Sequence, residues 1–214
     1  MFRLAINSCM LFLIITLVAC SASQGVASRS HLQPMADEDN FQRLKTEGRL
    51  LGIEKKFFQA IIKLDQAALL RPNDVHVHLM LGEAHFHVGH GSESLAHLKK
   101  SRELAPNNYQ VESWLGTIHI ELGQLSEAEV AYSNVLALKP NDYNALVYMG
   151  YIAFHKKDYP TCQAYFKRYK RLIEVIEPTR LTEQEKRRYQ QATEYYRACD
   201  ASWRDETLKL HKTL

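Results

Sequence analysis

Four glycines, Gly48, Gly82, Gly116 and Gly150, stand 34 residues apart, and Pro72, Pro106 and Pro140 keep the same interval. Each proline opens a polar triplet: PND, PNN and PND. Self-similarity at one fixed period constrains a chain more than any composition does, because each period must be one structural unit stacked on the next. The units run 41–74, 75–108, 109–142 and 143–176. Within them position 7 is apolar from the second unit onward (Leu81, Leu115, Met149). Position 20 is small (Ala60, Ser94, Ala128, Cys162) and position 24 is large (Leu64, Leu98, Tyr132, Phe166).

A glycine inside a helix costs about 1 kcal/mol against alanine. One that recurs at the same point therefore implies close backbone approach. The prolines end the second helix of a unit, and Asp74, Asn108 and Asp142 are suitable N-caps for the next. No strand pattern appears. The pattern departs from the period in two places: Glu47 replaces the apolar residue of position 7, and Glu174 replaces the proline, so that the last helix is expected to run on to Ile176.

These positions resemble the tetratricopeptide repeat, a helix–turn–helix unit in which small residues at positions 8, 20 and 27 let two helices touch. The resemblance covers residues 41–176 and implies an all-α, right-handed solenoid of four helix pairs. Residues 177–214 then form a capping helix. Its N-terminus is marked by the capping box TEQE, Thr182 to Glu185, and its apolar seam is Tyr189, Ala192, Tyr196, Cys199, Trp203 and Leu210. Covering the open end of the stack is the expected role; a partner-binding or dimerising helix is the other reading.

The first forty residues have a different character. Arg3 precedes a mostly apolar stretch to Val18, too short and too interrupted to span a bilayer. It ends Leu17-Val18-Ala19-Cys20, which resembles the lipobox of bacterial lipoproteins. The resemblance implies a signal peptide over 1–19 and a diacylglyceryl group on the Cys20 sulfur, with residues 20–40 as lipidated cysteine and flexible tether. A palmitate-bearing lipoprotein of this kind is attached to the membrane through its lipid. Ser21 after the cysteine favours the outer membrane, facing the periplasm. An ordinary signal with a chance cysteine is the alternative.

With Cys20 acylated, Cys162 and Cys199 remain, one at a buried repeat position and one on the capping seam. They are either a disulfide or two buried thiols.

A formal net charge of +3 is too small to point to a nucleic-acid partner. The basic run KRYKR at 167–171 reads as a solvated helix face. No phosphate loop, nucleophile motif or catalytic constellation is present, so no enzyme activity and no cofactor is expected. Six histidines crowd the second unit (76, 78, 85, 87, 90 and 97). Their spacing along single helices does not suit chelation, and His85 and His119 share repeat position 11, so no metal site is expected.

The tetratricopeptide resemblance also implies a groove lined by the first helix of each unit, where protein segments bind. The residues at those positions include Lys45, Arg49, Met80, Phe86, Trp114, Tyr148, Tyr151 and Phe154. Lys45 matches the first position of the carboxylate clamp of chaperone-binding members, but Arg49, Met80 and Trp114 depart from it. The groove is therefore expected to favour large apolar anchors. Lipoproteins of this architecture resemble assembly factors of Flp and type IV pili. The expected role is an adaptor for an envelope protein in a pilus or secretion system; the alternative is a scaffold for peptidoglycan hydrolases or proteases.

Overall fold

The computed structural model describes residues 37–175 and 182–213, apart from the side chains of residues 184 and 206–213. The signal and lipobox expectations, Cys20 included, and the tether up to residue 36 lie outside the described residues, as do Ile176 and the side chain of Leu210; residues 37–40, expected to belong to the flexible tether, instead form the first turn of helix α1. The described residues form helices with no strand: α1 (37–53), α2 (Phe57–Leu70), α3 (Val75–His87), α4 (Gly91–Leu104), α5 (Tyr109–Glu121), α6 (Leu125–Leu138), α7 (Tyr143–His155), α8 (Tyr159–Glu174) and α9 (Glu183–Thr213). They fall into two compact units, one ending at Pro72 and one beginning at Asn73.

The repeat is visible in the helix lengths. The odd helices α3, α5 and α7 have 13 residues each, whereas α2, α4 and α6 have 14. Asp74, Asn108 and Asp142 cap α3, α5 and α7, accepting from the backbone N–H groups of Val77, Gln110 and Ala145 at 2.8, 3.0 and 2.9 Å. α8, which lacks the terminal proline, reaches 16 residues but ends at Glu174 with Val175 as its C-cap, short of the expected Ile176.

Inside each pair the recurrent glycine does what its spacing implied. A Cβ on Gly48 would come within 2.6 Å of Leu64, and one on Gly82 within 2.5 Å of Leu98. On Gly116 it would meet the ring of Tyr132 at 2.6 Å, and on Gly150 the ring of Phe166 at 2.7 Å. Position 8 is empty because position 24 of the partner helix fills the space. The turn between the paired helices also repeats: residues 55, 89, 123 and 157, again 34 apart, all have φ between 60° and 81°. Two of the four are lysines, which hides this position in the sequence.

In the first unit Phe41, Leu44, Ala60, Leu64 and Ala67 are buried. Glu47 is only partly buried and accepts ion pairs from Lys63 at 2.8 Å and Arg43 at 3.0 Å. The hydrogen bond from Lys63 holds its carboxyl below the ordinary range.

In the second unit α3 packs on α4, α5 on α6 and α7 on α8, with α9 laid over α8. Thr182 and Glu185 close the expected capping box: the Thr182 N–H donates to Glu185 Oε2 at 2.7 Å and the Glu185 N–H to Thr182 Oγ1 at 3.3 Å. The seam of α9 is Ala192 and Cys199, fully covered, flanked by Tyr189, Tyr195 and Tyr196 against Cys162, Phe166, Tyr169 and Ile173. Two details differ from expectation. Trp203 is 45% exposed, so the seam stops at Cys199. The reason is length: at 1.5 Å per residue α9 is about 46 Å long against about 24 Å for α8, and its end passes beyond the helix it covers. Tyr195, missing from the expected seam, stacks flat on Phe166 with centroids 5.8 Å apart. A disulfide joins Cys162 to Cys199 across this contact, with Cα atoms 6.3 Å apart, inside the range a disulfide allows.

Candidate peptide-binding face

Position 6 of three successive repeats is Met80, Trp114 and Tyr148, and all three are half-buried on the odd helices. A residue at this register points away from the glycine contact and is left for something other than the pair's own packing. Around Trp114 the sequence places Phe86 and His87 at the end of α3. The Phe86 and Trp114 rings are 5.5 Å apart, and His87 meets Trp114 edge-on at 5.7 Å. Phe86 and Trp114 also rest on the core formed by Leu79, Leu98, Leu115 and Ile118, which holds them in place.

Beside them on α3 stands Glu83. Burial pushes its carboxyl up, against the opposing pull of His87. A raised folded-state pKa means that the native state favours the protonated acid, so the contribution is present at low pH and lost as pH rises through that value. Glu83→Gln is therefore expected to raise the Tm at pH 7 and leave it unchanged near pH 4, as checked by thermal denaturation at both pH values.

The second part of the face is a cleft of about 290 Å³ between α5, α7 and α9. Its walls are Ile120, Val147, Tyr148, Tyr151 and Tyr195, with Glu121, Asn144, Arg188 and Gln191 at the polar edge. Tyr148 is fixed from behind by stacking on buried Tyr132 at 4.9 Å. Tyr132 is in turn tied by its hydroxyl to Thr117 Oγ1 at 2.9 Å, and Thr117 donates to the Ser113 carbonyl at 3.0 Å. Burial drives the Tyr132 hydroxyl far above the usual phenol range, so it remains a neutral donor. Tyr151 lies against His155 at 4.3 Å and meets Tyr195 edge-on at 5.8 Å. Burial, helped by Tyr151, pushes the Tyr195 hydroxyl up as well. Arg188 donates to Asn144 Oδ1, which holds its guanidinium at the rim.

The expected groove residues are thus distributed unequally. Trp114 and Phe86 form one patch, and Tyr148 and Tyr151 line the cleft. Phe154 faces the α9 side, between Tyr159 and Tyr195 at 6.1 and 5.8 Å. Lys45 and Arg49 belong to α1 in the other compact unit; Lys45 holds its ammonium 5.4 Å from the Phe41 ring and Arg49 is exposed. The reading of the repeats alone missed Arg188, Gln191 and Tyr195, because α9 obeys no repeat register. The i, i+3, i+7 spacing of these three on a helix known to be amphipathic is the one signal that a second α9 face is in use. Among the described residues no three His, Cys, Asp or Glu side chains converge on a point able to hold a metal ion.

Among the described residues every buried side-chain nitrogen or oxygen has a hydrogen-bond partner. Glu112, fully buried in the first turn of α5, accepts from Asn134 Nδ2 at 3.1 Å.

The fold is the tetratricopeptide-repeat solenoid, as likeness to solved structures shows. A MamA RS-1 double mutant matches with a TM-score of 0.60 at 20% identity, over 63% of this chain and 76% of that one. The first repeat domain of Spaghetti (RPAP3), bound to the HSP90 peptide SRMEEVD, matches at 0.53 and 20%, over 55% and 93%. The second such domain of human RPAP3, in complex with the HSP70 peptide SGPTIEEVD, matches at 0.51 and 19%, over 54% and 97%. No protein-family model and no curated protein matches the chain.

Proposed function

We propose that this chain is a lipid-anchored periplasmic adaptor, attached through Cys20 to the outer membrane, that binds a segment of an envelope protein and assists assembly of a pilus or secretion machine. The observation that carries the binding role is the cleft of α5, α7 and α9. Three tyrosines stand beside one cation, one carboxylate and two side-chain amides, which is the composition of a site for a large anchor side chain on an extended or helical segment. Two proteins of the same fold hold peptides of HSP90 and HSP70, which supports a peptide as the ligand class here. The Cys162–Cys199 disulfide supports an oxidising compartment. The lipobox supports the anchor, and the architecture supports the machine.

Two experiments test the two halves. Cys20→Ala is expected to move the protein from the membrane to the soluble fraction and abolish palmitate incorporation; unchanged fractionation contradicts the anchor. A photo-crosslinking residue at Trp114 or Tyr151, followed by mass spectrometry, is expected to capture a secretin or another pilus component. Capture of murein hydrolases in its place overturns the pilus assignment in favour of a peptidoglycan scaffold.

A further inference from the structure

The second repeat pairs its histidines across helices. His78 and His85 stand two turns apart on α3. His97 stands on α4, two turns from His90, which is the residue that leads into α4. Because the two helices are antiparallel, His78 comes opposite His97 and His85 opposite His90. The Nδ1 atoms are 3.1 Å apart in the first pair and 3.4 Å in the second. His85 also stacks on His97 at 5.4 Å, with planes 12° apart, so the two rungs form one continuous ladder. Spacing counted along a single helix cannot reveal this, since both pairs form between elements. The other repeats do not build it: the corresponding positions are Leu44, Leu51, Lys56 and Lys63 in the first, Glu112, His119, Gln124 and Ala131 in the third, and Leu146, Ala153, Asp158 and Tyr165 in the fourth.

We propose that this ladder is a binding site for a late first-row divalent cation, Cu²⁺ ahead of Ni²⁺ and Zn²⁺, with each rung chelating through two Nδ1 atoms. Two imidazoles on a metal at 2.0–2.1 Å stand roughly 2.9 Å apart at a square-planar corner and roughly 3.4 Å apart along a tetrahedral edge. The two rungs fall at 3.1 and 3.4 Å. In each rung one imidazole now donates its Nδ1 proton to the other. Metal binding replaces that bond: the donor ring moves its proton to Nε2, both Nδ1 lone pairs bind the cation, and neutral imidazoles release no proton overall. Each rung supplies two ligands, so the remaining positions belong to water or to a group from outside the chain. His90 is exposed and His85 and His97 half-buried, which leaves the ladder an entry, while His78 is nearly covered. The cation would bridge α3 to α4 within one repeat, a role separate from the cleft.

The test is titration of the purified full chain with CuCl₂, NiCl₂ and ZnCl₂, read by calorimetry and by thermal shift. Saturable uptake of one or two equivalents is expected, with a Tm rise of about 5 °C at a hundredfold excess over Kd, reversed by EDTA. His85→Gln/His90→Gln, on the exposed rung, should lower the stoichiometry, and adding His97→Gln should weaken the remaining binding at least tenfold. Either no uptake, or uptake that all three substitutions leave unchanged, overturns the proposal. The second outcome would assign the metal to the remaining histidines of the chain.

Discussion

Gly116→Ala is expected to destabilise the compact unit that begins at Asn73 by about 2 kcal/mol, although alanine is the better helix former. The helix preference alone would return about 1 kcal/mol to the native state. Against it stands a methyl group 2.6 Å from Tyr132 Cε2, 2.8 Å from Cδ2 and 2.9 Å from Cζ. A leucine in that place could turn a terminal methyl aside. The Tyr132 ring cannot, since it is fully buried, stacked on Tyr148 and held at its hydroxyl by Thr117. Either the ring or helix α5 must move, and overpacking of this kind costs about 1–3 kcal/mol net. Thermal unfolding followed by circular dichroism should show a Tm fall of about 4–8 °C. Gly52→Ala is the matched control, because a Cβ there meets nothing within 4 Å; it should leave the Tm unchanged or raise it. Equal losses from the two substitutions would remove close helix approach as the reason for the repeated glycine. Since Tyr148 rests on Tyr132, Gly116→Ala should also loosen the cleft and weaken partner capture.

Loss of the Cys162–Cys199 bond is expected to have the larger effect. The bond closes a loop of sequence separation 37, and the loop-entropy relation puts its contribution at about 4 kcal/mol. Cys199→Ser should therefore shift the urea midpoint of the second unit strongly downward, and reductant should do the same to the unmodified protein. Coincident denaturation curves with and without reductant would exclude the bond, as would two alkylatable thiols in the native protein. The consequence extends to the site. α9 carries Arg188, Gln191 and Tyr195 into the cleft, and the disulfide ties α9 to α8. A chain with α9 loosened keeps the Phe86–Trp114 patch but loses one wall of the cleft.

The periodic part of the molecule was legible before any coordinates, because every repeat solves the same packing problem. Gly116 and Tyr132 are 16 residues apart, as are Gly48 and Leu64, and one register explains both. What escaped was whatever breaks or crosses the register. The left-handed turn residue is a glycine at 89 and 123 but a lysine at 55 and 157. Tyr195 follows no repeat position, and Trp203 continues the seam pattern in sequence while α9 has already passed the end of α8. The histidine ladder is a relation between two helices, invisible to spacing within either. That Trp114, Tyr148 and Tyr151 stay half-buried on the odd helices could be read from helical register alone, since register sets which way they face. Phe154, like Tyr151 half-buried, also lies 5.8 Å from Tyr195, a neighbour that only the packing of α9 supplies.

The central claim is that the cleft of α5, α7 and α9 holds a protein segment. It is tested most directly by placing the same photo-crosslinking residue in living cells at position 151, inside the cleft, and at position 130. Val130 is 62% exposed on α6, away from the cleft. One partner adduct at 151, absent at 130 and lost on Tyr148→Ala, is the predicted result. The same adducts at both positions, or an adduct at 151 that survives Tyr148→Ala, would contradict it.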